Sequence, residues 1–166
     1  QLNHPTDTLF FALKARRNGQ DFIPALYEAG VRNFVTDTQP HGEFPGANFY
    51  LINDVLVALQ SLAAHHRANF VYDVIGITGS NGKTIVKEWL DQLISPDKKI
   101  VRNPKSYNSQ VGVPLAVWAM SAEHELGIFE AGISLPGEME KLEKIIRPTT
   151  GILTHIGPAH DEGFSS

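Results

Sequence analysis

Short apolar runs alternate with amphipathic stretches along the first part of the chain. Asp21 and Asp54 each precede a stretch whose apolar side chains recur at helical spacing, so each aspartate is predicted to cap a helix. Residues 38–47 are rich in glycine and proline and predict a loop. His65, His66 and Arg67 lie in the last turn of the second helix, where cations suit the helix dipole, and the histidine pair is expected to be a solvated helix end. The apolar runs have the length of buried strands and cover residues 9–13, 33–37 and 48–52.

The rest of the chain continues this rhythm. Apolar runs predict strands, and helical spacing of apolar side chains predicts the helices between them. The predicted strands are residues 71–77, 99–102, 126–129 and 151–156. The predicted helices are residues 83–94, 113–120 and 136–146. Strands that alternate with helices in this order imply parallel sheet covered on both faces, and therefore an α/β fold.

Composition and charge exclude several classes of protein. Of the 166 residues, 42% are hydrophobic and 19% charged, which is ordinary for a globular protein and enough for a core. A net charge of -4 leaves no basic stripe, so nucleic acid is not expected as a partner. Because there is no cysteine, disulfides and thiolate metal sites are excluded, and a reducing compartment fits.

The ends of the chain and its hydropathy bear on location and completeness. The apolar runs are far shorter than a membrane span, and no apolar leader follows Gln1. We therefore expect a cytoplasmic protein without membrane insertion. The chain opens without methionine and ends at Ser166, just after a turn-like segment, so we expect a fragment of a longer protein.

Residues 76–84 read GITGSNGKT and lie between a predicted strand and a predicted helix. Backbone N–H groups converge at such a junction and the helix dipole adds positive potential, which suits a phosphate. Glycine permits close approach, lysine supplies charge for the β- and γ-phosphates, and a threonine hydroxyl can ligate Mg²⁺. The Gly-Lys-Thr at 82–84 fits this chemistry. The commonest phosphate loop has its first glycine at the position of Ile77, whereas here the glycines are Gly76 and Gly79.

This glycine spacing resembles the loop of the Mur ligases, the ATP-dependent amide ligases of peptidoglycan synthesis, and of their folylpolyglutamate synthetase relatives. Further stretches extend the resemblance over nearly the whole chain. They are residues 9–14, 21–22, 105–114 (KSYNSQVGVP), 129–132 (FEAG), 136–138 (PGE) and 154–164 (THIGPAHDEGF). Residues 107–118 and 129–146 are also similar to a subgroup in which an alanine racemase follows the ligase, a fusion that no residue of this chain can show.

The resemblance implies a domain organisation within the α/β class. Residues 1–69 would form a small N-terminal α/β domain that binds the UDP end of the substrate. Residues 70–166 would form part of a P-loop-type parallel-sheet ATP-binding domain. The family often has a histidine near the turn at 18–21, where this chain has Gln20, so no uridine-contacting residue is assigned.

The family reaction also implies roles for particular residues. ATP activates a carboxylate as an acyl phosphate and an amine then forms the amide, so catalysis is mainly positioning and charge stabilisation. Lys83 would hold the β- and γ-phosphates, Thr84 and Glu130 would bind Mg²⁺, and His160 would contribute to a second Mg²⁺ site. Asn108 or a neighbour would contact the nucleotide phosphates or the acyl phosphate. The implied catalytic set is Lys83, Asn108, Glu130 and His160, and the implied ATP-binding set is Gly79, Ser80, Asn81, Gly82, Lys83 and Thr84.

The segment at 154–164 is very similar to that of the branch that adds D-alanyl-D-alanine to UDP-N-acetylmuramoyl-tripeptide, so these are the expected substrates. One alternative is another amide ligase of the family, including the folylpolyglutamate synthetase type, against which this segment and the N-terminal domain argue. The other is a non-catalytic nucleotide-binding module, although no guanine-recognition motif is visible. The family also uses a downstream carbamylated lysine and a closing domain, so residues 1–166 alone are expected to be inactive.

Overall fold

The computed structural model describes residues 4–15 and 17–157. These residues form two compact units, which divide between Leu59 and Gln60. The named strands pair in parallel in both units, as the alternation of strands and helices predicted. Within the described ranges, every helix is too short or too polar to cross a lipid bilayer.

The first unit is built on a three-stranded sheet. Its strands lie in the spatial order of the chain and are β1 (Leu9–Phe11), β2 (Asn33–Thr36) and β3 (Asn48–Leu51). Helix α1 (Ile23–Glu28) connects β1 to β2. Phe34 on β2 stacks on Phe49 of the neighbouring strand, with ring centroids 5.2 Å apart, which adds to the apolar packing. The fully buried core of this unit consists of Ala12, Ile23, Val31 and Phe34.

Helix α1 does not begin as predicted. A 3₁₀ turn (Gly19–Phe22) precedes it, and the α-helix then starts without a side-chain cap. The capping side chain in this region belongs to Asn18, whose Oδ1 accepts the N–H of Gln20 at 3.2 Å. The prediction that Asp21 caps the helix was wrong because Asp21 lies inside the 3₁₀ turn, where its own N–H donates to the Asn18 carbonyl.

Helix α2 (Val55–Arg67) begins where the sequence predicted. Oδ1 of Asp54 accepts the N–H groups of Leu56 and Val57 at 2.9 and 3.0 Å. Two of the backbone donors that a helix start leaves without partners are thereby satisfied, which confirms Asp54 as the cap.

The second unit is built on a four-stranded sheet. Its strands are β4 (Val74–Thr78), β5 (Ile100–Arg102), β6 (Leu126–Glu130) and β7 (Thr150–Leu153), in the spatial order β5-β6-β4-β7. The helices are α3 (Lys83–Ile94), α4 (Gly112–Val117) and α5 (Glu138–Ile146). In register, Ile77 on β4 lies opposite Glu130 on β6 and Ile152 on β7. The carboxyl ends of these three strands therefore meet at one edge, where the glycine-rich loop begins.

Two separate apolar cores cover the faces of this sheet. On one face, Val74 and Phe129 pack with buried side chains of α4 and α5. On the other face, Ile77 and Ile128 pack against the apolar side of α3. Successive strand residues point to opposite faces, so the continuous apolar runs predicted a sheet buried on both sides, and this prediction is confirmed.

Most strands are shorter than predicted, and in β4 and β7 the predicted strand included an apolar residue that is exposed. β4 begins at Val74, and Val71, which the sequence placed in this strand, is 99% exposed. β7 ends at Leu153, and Ile156, placed in the strand at 151–156, is 78% exposed. Hydrophobicity alone overestimated the length of these strands, because a strand extends only as far as its neighbours can pair with it.

The basic end of α2 is not a solvated helix end. His65 is exposed, but the ring of His66 packs against Trp118, with centroids 4.4 Å apart. Nε2 of His66 also lies 3.0 Å from the carbonyl oxygen of Met120. The prediction was wrong for His66 because a local helix pattern cannot show which later segment will pack on it.

Arg67 is the most buried residue of this helix end, with 5% of its surface exposed. Its guanidinium donates to the carbonyl oxygens of Ile146, Phe70 and Arg147 at 2.8, 2.6 and 3.0 Å. Burial lowers the pKa of the guanidinium from its usual value. Arg67 therefore joins the end of α2 to the end of α5.

We expect Arg67→Met to lower the free energy of unfolding by about 2–4 kcal/mol, because buried carbonyl groups lose their donors. Urea unfolding of the full-length protein measures the loss. Arg17→Met is the matched control, since Arg17 is exposed, and it should be nearly neutral. Equal stability of the two variants would contradict a structural role for Arg67.

Candidate functional site

The glycine-rich loop joins the end of β4 to the start of α3. Gly79 has φ 134° and Gly82 has φ 83°, which are conformations that favour glycine. A side chain at Gly79 would overlap the hydroxyl of Thr154 and approach the nitrogen of His155 to 2.9 Å. Gly82 is the N-cap residue of α3, and no side chain caps this helix. The N–H groups of its first turn are therefore available to an anion.

Hydrogen bonds hold the loop against the segment that follows β7. The Ser80 N–H donates to the carbonyl of His155 at 2.8 Å, and its hydroxyl lies 2.7 Å from the carbonyl oxygen of Gly157. The Thr154 hydroxyl lies 3.2 Å from the Thr78 carbonyl oxygen and 2.5 Å from that of Asn81. Ser80 therefore lies in the loop, and both its N–H and its hydroxyl contact backbone carbonyls of the segment that follows β7.

Lys83 begins α3 and folds back over the loop. Its Nζ lies 2.5 Å from the carbonyl oxygen of Gly79 and 3.5 Å from that of Ser80. The same side chain borders a polar cleft of about 290 Å³. Residues from four segments share this cleft: Lys83, Asn108, Ser109, Gln110, Val111, Gly132, Ile133, Ser134 and Glu138. The structure therefore brings two predicted site residues, Lys83 and Asn108, to one space.

Glu130 ends β6 and is completely buried. Its Oε1 accepts the side-chain amide of Asn108 at 2.9 Å. Its Oε2 has no hydrogen-bond partner among the described residues, although it lies 3.4 Å from Nζ of Lys87. That distance is one of an ion pair and not of a good hydrogen bond. Two more predicted site residues, Asn108 and Glu130, are therefore in direct contact.

Two residues of this site were missed by sequence analysis. Lys87, one helical turn after Lys83, is fully buried, and its Nζ donates to the carbonyl of Asn103 at 3.0 Å and to that of Lys105. Asn103 is also fully buried, and its Oδ1 accepts the Glu130 N–H at 2.6 Å. The spacing of four residues from the loop lysine was the available signal for Lys87, because it places both side chains on one side of the helix.

The carboxylate oxygen of Glu130 that lacks a hydrogen-bond partner among the described residues is the feature of this site that suits a bound cation. Within the described ranges, no three His, Cys, Asp or Glu side chains group together as a metal site. A buried carboxylate oxygen without a hydrogen-bond partner, as at Glu130, suits a hard cation such as Mg²⁺, which prefers oxygen ligands. Thr84, the other oxygen donor that the sequence predicted, lies in the first turn of α3. His160 lies outside the described residues.

The first unit has a polar cluster of its own, at the carboxyl ends of β1 and β2. The amide of Gln20 donates to Thr36 Oγ1 at 2.9 Å, to Asp37 Oδ1 at 3.0 Å and to the hydroxyl of Thr38. Lys14 forms an ion pair with Asp37 at 2.5 Å and holds the pKa of that carboxyl below its usual value. Gln20, where the sequence departs from the pattern it resembles, is therefore fixed by three neighbours.

Fold and loop together define an α/β protein of the P-loop type. The Mur ligase middle domain family matches residues 77–166, more than half of the chain. The chain belongs to the Mur ligase family.

Eight curated relatives carry one name. UDP-N-acetylmuramoyl-tripeptide–D-alanyl-D-alanine ligase of Synechocystis sp. is 35% identical over 153 residues, covering 92% of this chain and 34% of the relative. The ligase of the same name from Treponema pallidum is 38% identical over 162 residues, covering 92% of this chain and 35% of the relative. The chain spans about a third of the length of the curated relatives it matches.

Solved structures agree with this relationship. MurF from Acinetobacter baumannii has a TM-score of 0.88 at 26% identity, covering 95% of this chain and 35% of that chain. MurF ligase from Thermotoga maritima, solved in complex with ADP, has a TM-score of 0.80 at 27% identity, covering 94% of this chain and 37% of that chain. The α/β fold predicted from the sequence is therefore confirmed by both the architecture and its neighbours.

We expect Gly79→Ala to lower the free energy of unfolding by about 1–3 kcal/mol, because a side chain there is strained and displaces Thr154. Denaturant unfolding of the full-length protein measures this. Gly151→Ala is the control, since a side chain at Gly151 would meet nothing within 4 Å. A loss of stability in Gly79→Ala that is no larger than in Gly151→Ala would show that the loop tolerates a side chain.

Proposed function

We propose that this chain is part of an ATP-dependent ligase that joins D-alanyl-D-alanine to UDP-N-acetylmuramoyl-tripeptide in peptidoglycan synthesis. The tripeptide carboxylate would react with ATP to give an acyl phosphate and ADP. The amine of the dipeptide would then attack, releasing phosphate and forming the amide. The single observation that carries the proposal is the phosphate-type loop with Lys83 beside a cleft shared with Asn108, which contacts the buried carboxylate of Glu130.

The loop supports the nucleotide part of the proposal. Its glycines permit close approach of phosphate oxygens, and the first turn of α3 offers backbone donors and a positive dipole end. We assign Gly79, Ser80, Asn81, Gly82, Lys83 and Thr84 to ATP binding. Lys83 would exchange its contact with the Gly79 carbonyl for the β- and γ-phosphates, since a phosphate is the stronger acceptor for an ammonium.

Charge on the transferred phosphoryl group requires compensation. Thr84 and Glu130 would hold Mg²⁺, which when bound neutralises charge that develops on the phosphate oxygens. Glu130 is positioned for this by the end of β6 and by its contact with Asn108. His160 is proposed for a second Mg²⁺ site on the resemblance of its segment alone.

The cleft beside Lys83 supports a place for the reacting carboxylate. Asn108 borders this cleft and contacts Glu130. Its amide can therefore orient a phosphate or acyl phosphate oxygen while it holds the carboxylate of Glu130. We propose residues 1–69 as the domain for the UDP end of the substrate and residues 70–166 as part of the ATP-binding domain. Because the cytoplasm supplies ATP, we propose that the reaction takes place there.

Two alternatives remain distinct in their chemistry. A different amide ligase of the family would use the same loop and carboxylate with another amine. A non-catalytic nucleotide-binding module would bind the nucleotide without any acceptor. The shared name of the curated relatives favours the dipeptide ligase over the first. The polar cleft next to Lys83 favours a ligase over the second, since a module without chemistry needs no second substrate space.

The test is ADP release by the full-length protein given Mg-ATP and UDP-N-acetylmuramoyl-tripeptide. We expect release that requires D-alanyl-D-alanine and that falls about 10²–10³-fold in Lys83→Ala, because a charge that stabilises the transition state is lost. Lys98→Ala, at an exposed lysine beyond the end of α3, should leave the rate unchanged.

The choice of amine decides between the alternatives. Release with single amino acids in place of the dipeptide would move the protein to another branch of the family. Tight ATP binding without release for any amine would overturn the ligase proposal and favour the binding module.

A further inference from the structure

Lys87 is a fully buried lysine to which the proposed mechanism gives no role. It lies one helical turn after Lys83 on α3, so both side chains leave the same side of the helix near the ends of β4 and β6. Lysine is almost never fully buried unless it is paired, so its partners show why it is there.

The charge of Lys87 is balanced chiefly by Glu130. Two carboxylates lie within ion-pair distance of its Nζ, Glu130 at 3.4 Å and Glu88 at 3.5 Å. Glu88 is partly exposed and is bound more closely by Arg102, at 2.8 Å. Glu130, by contrast, is completely buried, and within the described part of the chain Lys87 is the cation recorded beside it.

Lys87 also holds the turn that carries Asn108. Its Nζ donates to the carbonyls of Asn103 and Lys105, and Lys105 has the left-handed φ of 52°, which is uncommon for a residue with a side chain. A few residues later, the amide of Asn108 donates to Oε1 of Glu130. Lys87 therefore acts on Glu130 by two routes, directly through Oε2 and through the turn that places Asn108.

We propose that Lys87 is a positioning residue that orients the Glu130 carboxylate toward the divalent cation bound with the nucleotide. The inference rests on the proposed function, in which Glu130 is a ligand of that cation. Outer-shell partners of this kind fix the orientation of a ligand, and their loss reduces metal affinity while the ligand itself remains. In this arrangement Lys83, and not Lys87, would contact the nucleotide.

The test uses the full-length protein, a fluorescent ADP analogue and Mg²⁺. Binding of the analogue is measured with excess EDTA and then at rising Mg²⁺ concentration. We expect Lys87→Met to raise the Mg²⁺ concentration for half-maximal response about 10–100-fold. Binding in EDTA should be unchanged, because the loop and Lys83 are intact. Lys141→Met, at an exposed lysine of α5, is the matched control and should respond like the unmodified protein.

A double-variant comparison separates positioning from simple structural support. In a Glu130→Gln background, adding Lys87→Met should cause no further loss of Mg²⁺ affinity, because the group through which Lys87 acts has already been changed. The double variant also lacks both buried charges, so it tests the inference even if Lys87→Met alone fails to fold.

Each outcome is decisive. Unchanged or higher Mg²⁺ affinity in Lys87→Met would overturn the inference, as would an equal further loss in the Glu130→Gln background. Loss of analogue binding in EDTA would show that Lys87 supports the loop rather than the carboxylate. Unchanged Mg²⁺ affinity in Glu130→Gln itself would instead overturn the proposed metal role of Glu130, and with it the inference that depends on it.

Discussion

Lys87 and Glu130 form an ion pair between two side chains that are completely buried. Taking two charges out of water is costly, and removing one member of such a pair typically costs about 3–5 kcal/mol. Lys87 belongs to α3 and Glu130 to the end of β6. The ion pair therefore fixes the position of the helix on the sheet. The loop that begins this helix and the turn that carries Asn108 are placed by the same contacts.

Lys83 and Lys87 lie four residues apart on α3 but have different environments, because they lie at different positions relative to the strand ends. Side chains at this spacing lie on one face, one turn apart along the axis. Lys87 lies over the ends of β5 and β6, where carbonyl groups and a carboxylate surround it. Lys83 lies one turn nearer the helix start, beyond the strand ends, where it contacts the loop and borders the open cleft. The position of each lysine relative to the strand ends therefore decides whether its charge is buried against the protein, as in Lys87, or available to a ligand, as in Lys83.

Sequence analysis succeeded where the determinant is local. The bounds of the helix at 83–94 were predicted residue for residue, because the glycine loop before it and the apolar periodicity within it are both read along the chain. The apolar run before Glu130 predicted that it lies at a strand end, and its place beside the loop was implied by the family resemblance. Lys87 and Arg67 were not predicted as buried, since their partners lie as far along the chain as Glu130 and Arg147, respectively. Nothing near Arg67 signals that carbonyl groups will later surround it, and the spacing of Lys87 from Lys83 shows only that the two side chains lie on one side of the helix.

The unusual glycine spacing has a physical cause in the packing of β4. The commonest phosphate loop would have glycine at residue 77, but Ile77 is completely buried and belongs to the core under α3. Glycine is required two residues later, at Gly79, because the chain after β7 passes so closely that Thr154 and His155 leave no room for a side chain. A side chain at Gly76 would also fit tightly, since its Cβ would lie 3.1 Å from Pro148. The spacing therefore reflects how β7 and its flanking residues pack beside β4, and a loop of this kind depends on chain that lies far beyond the motif.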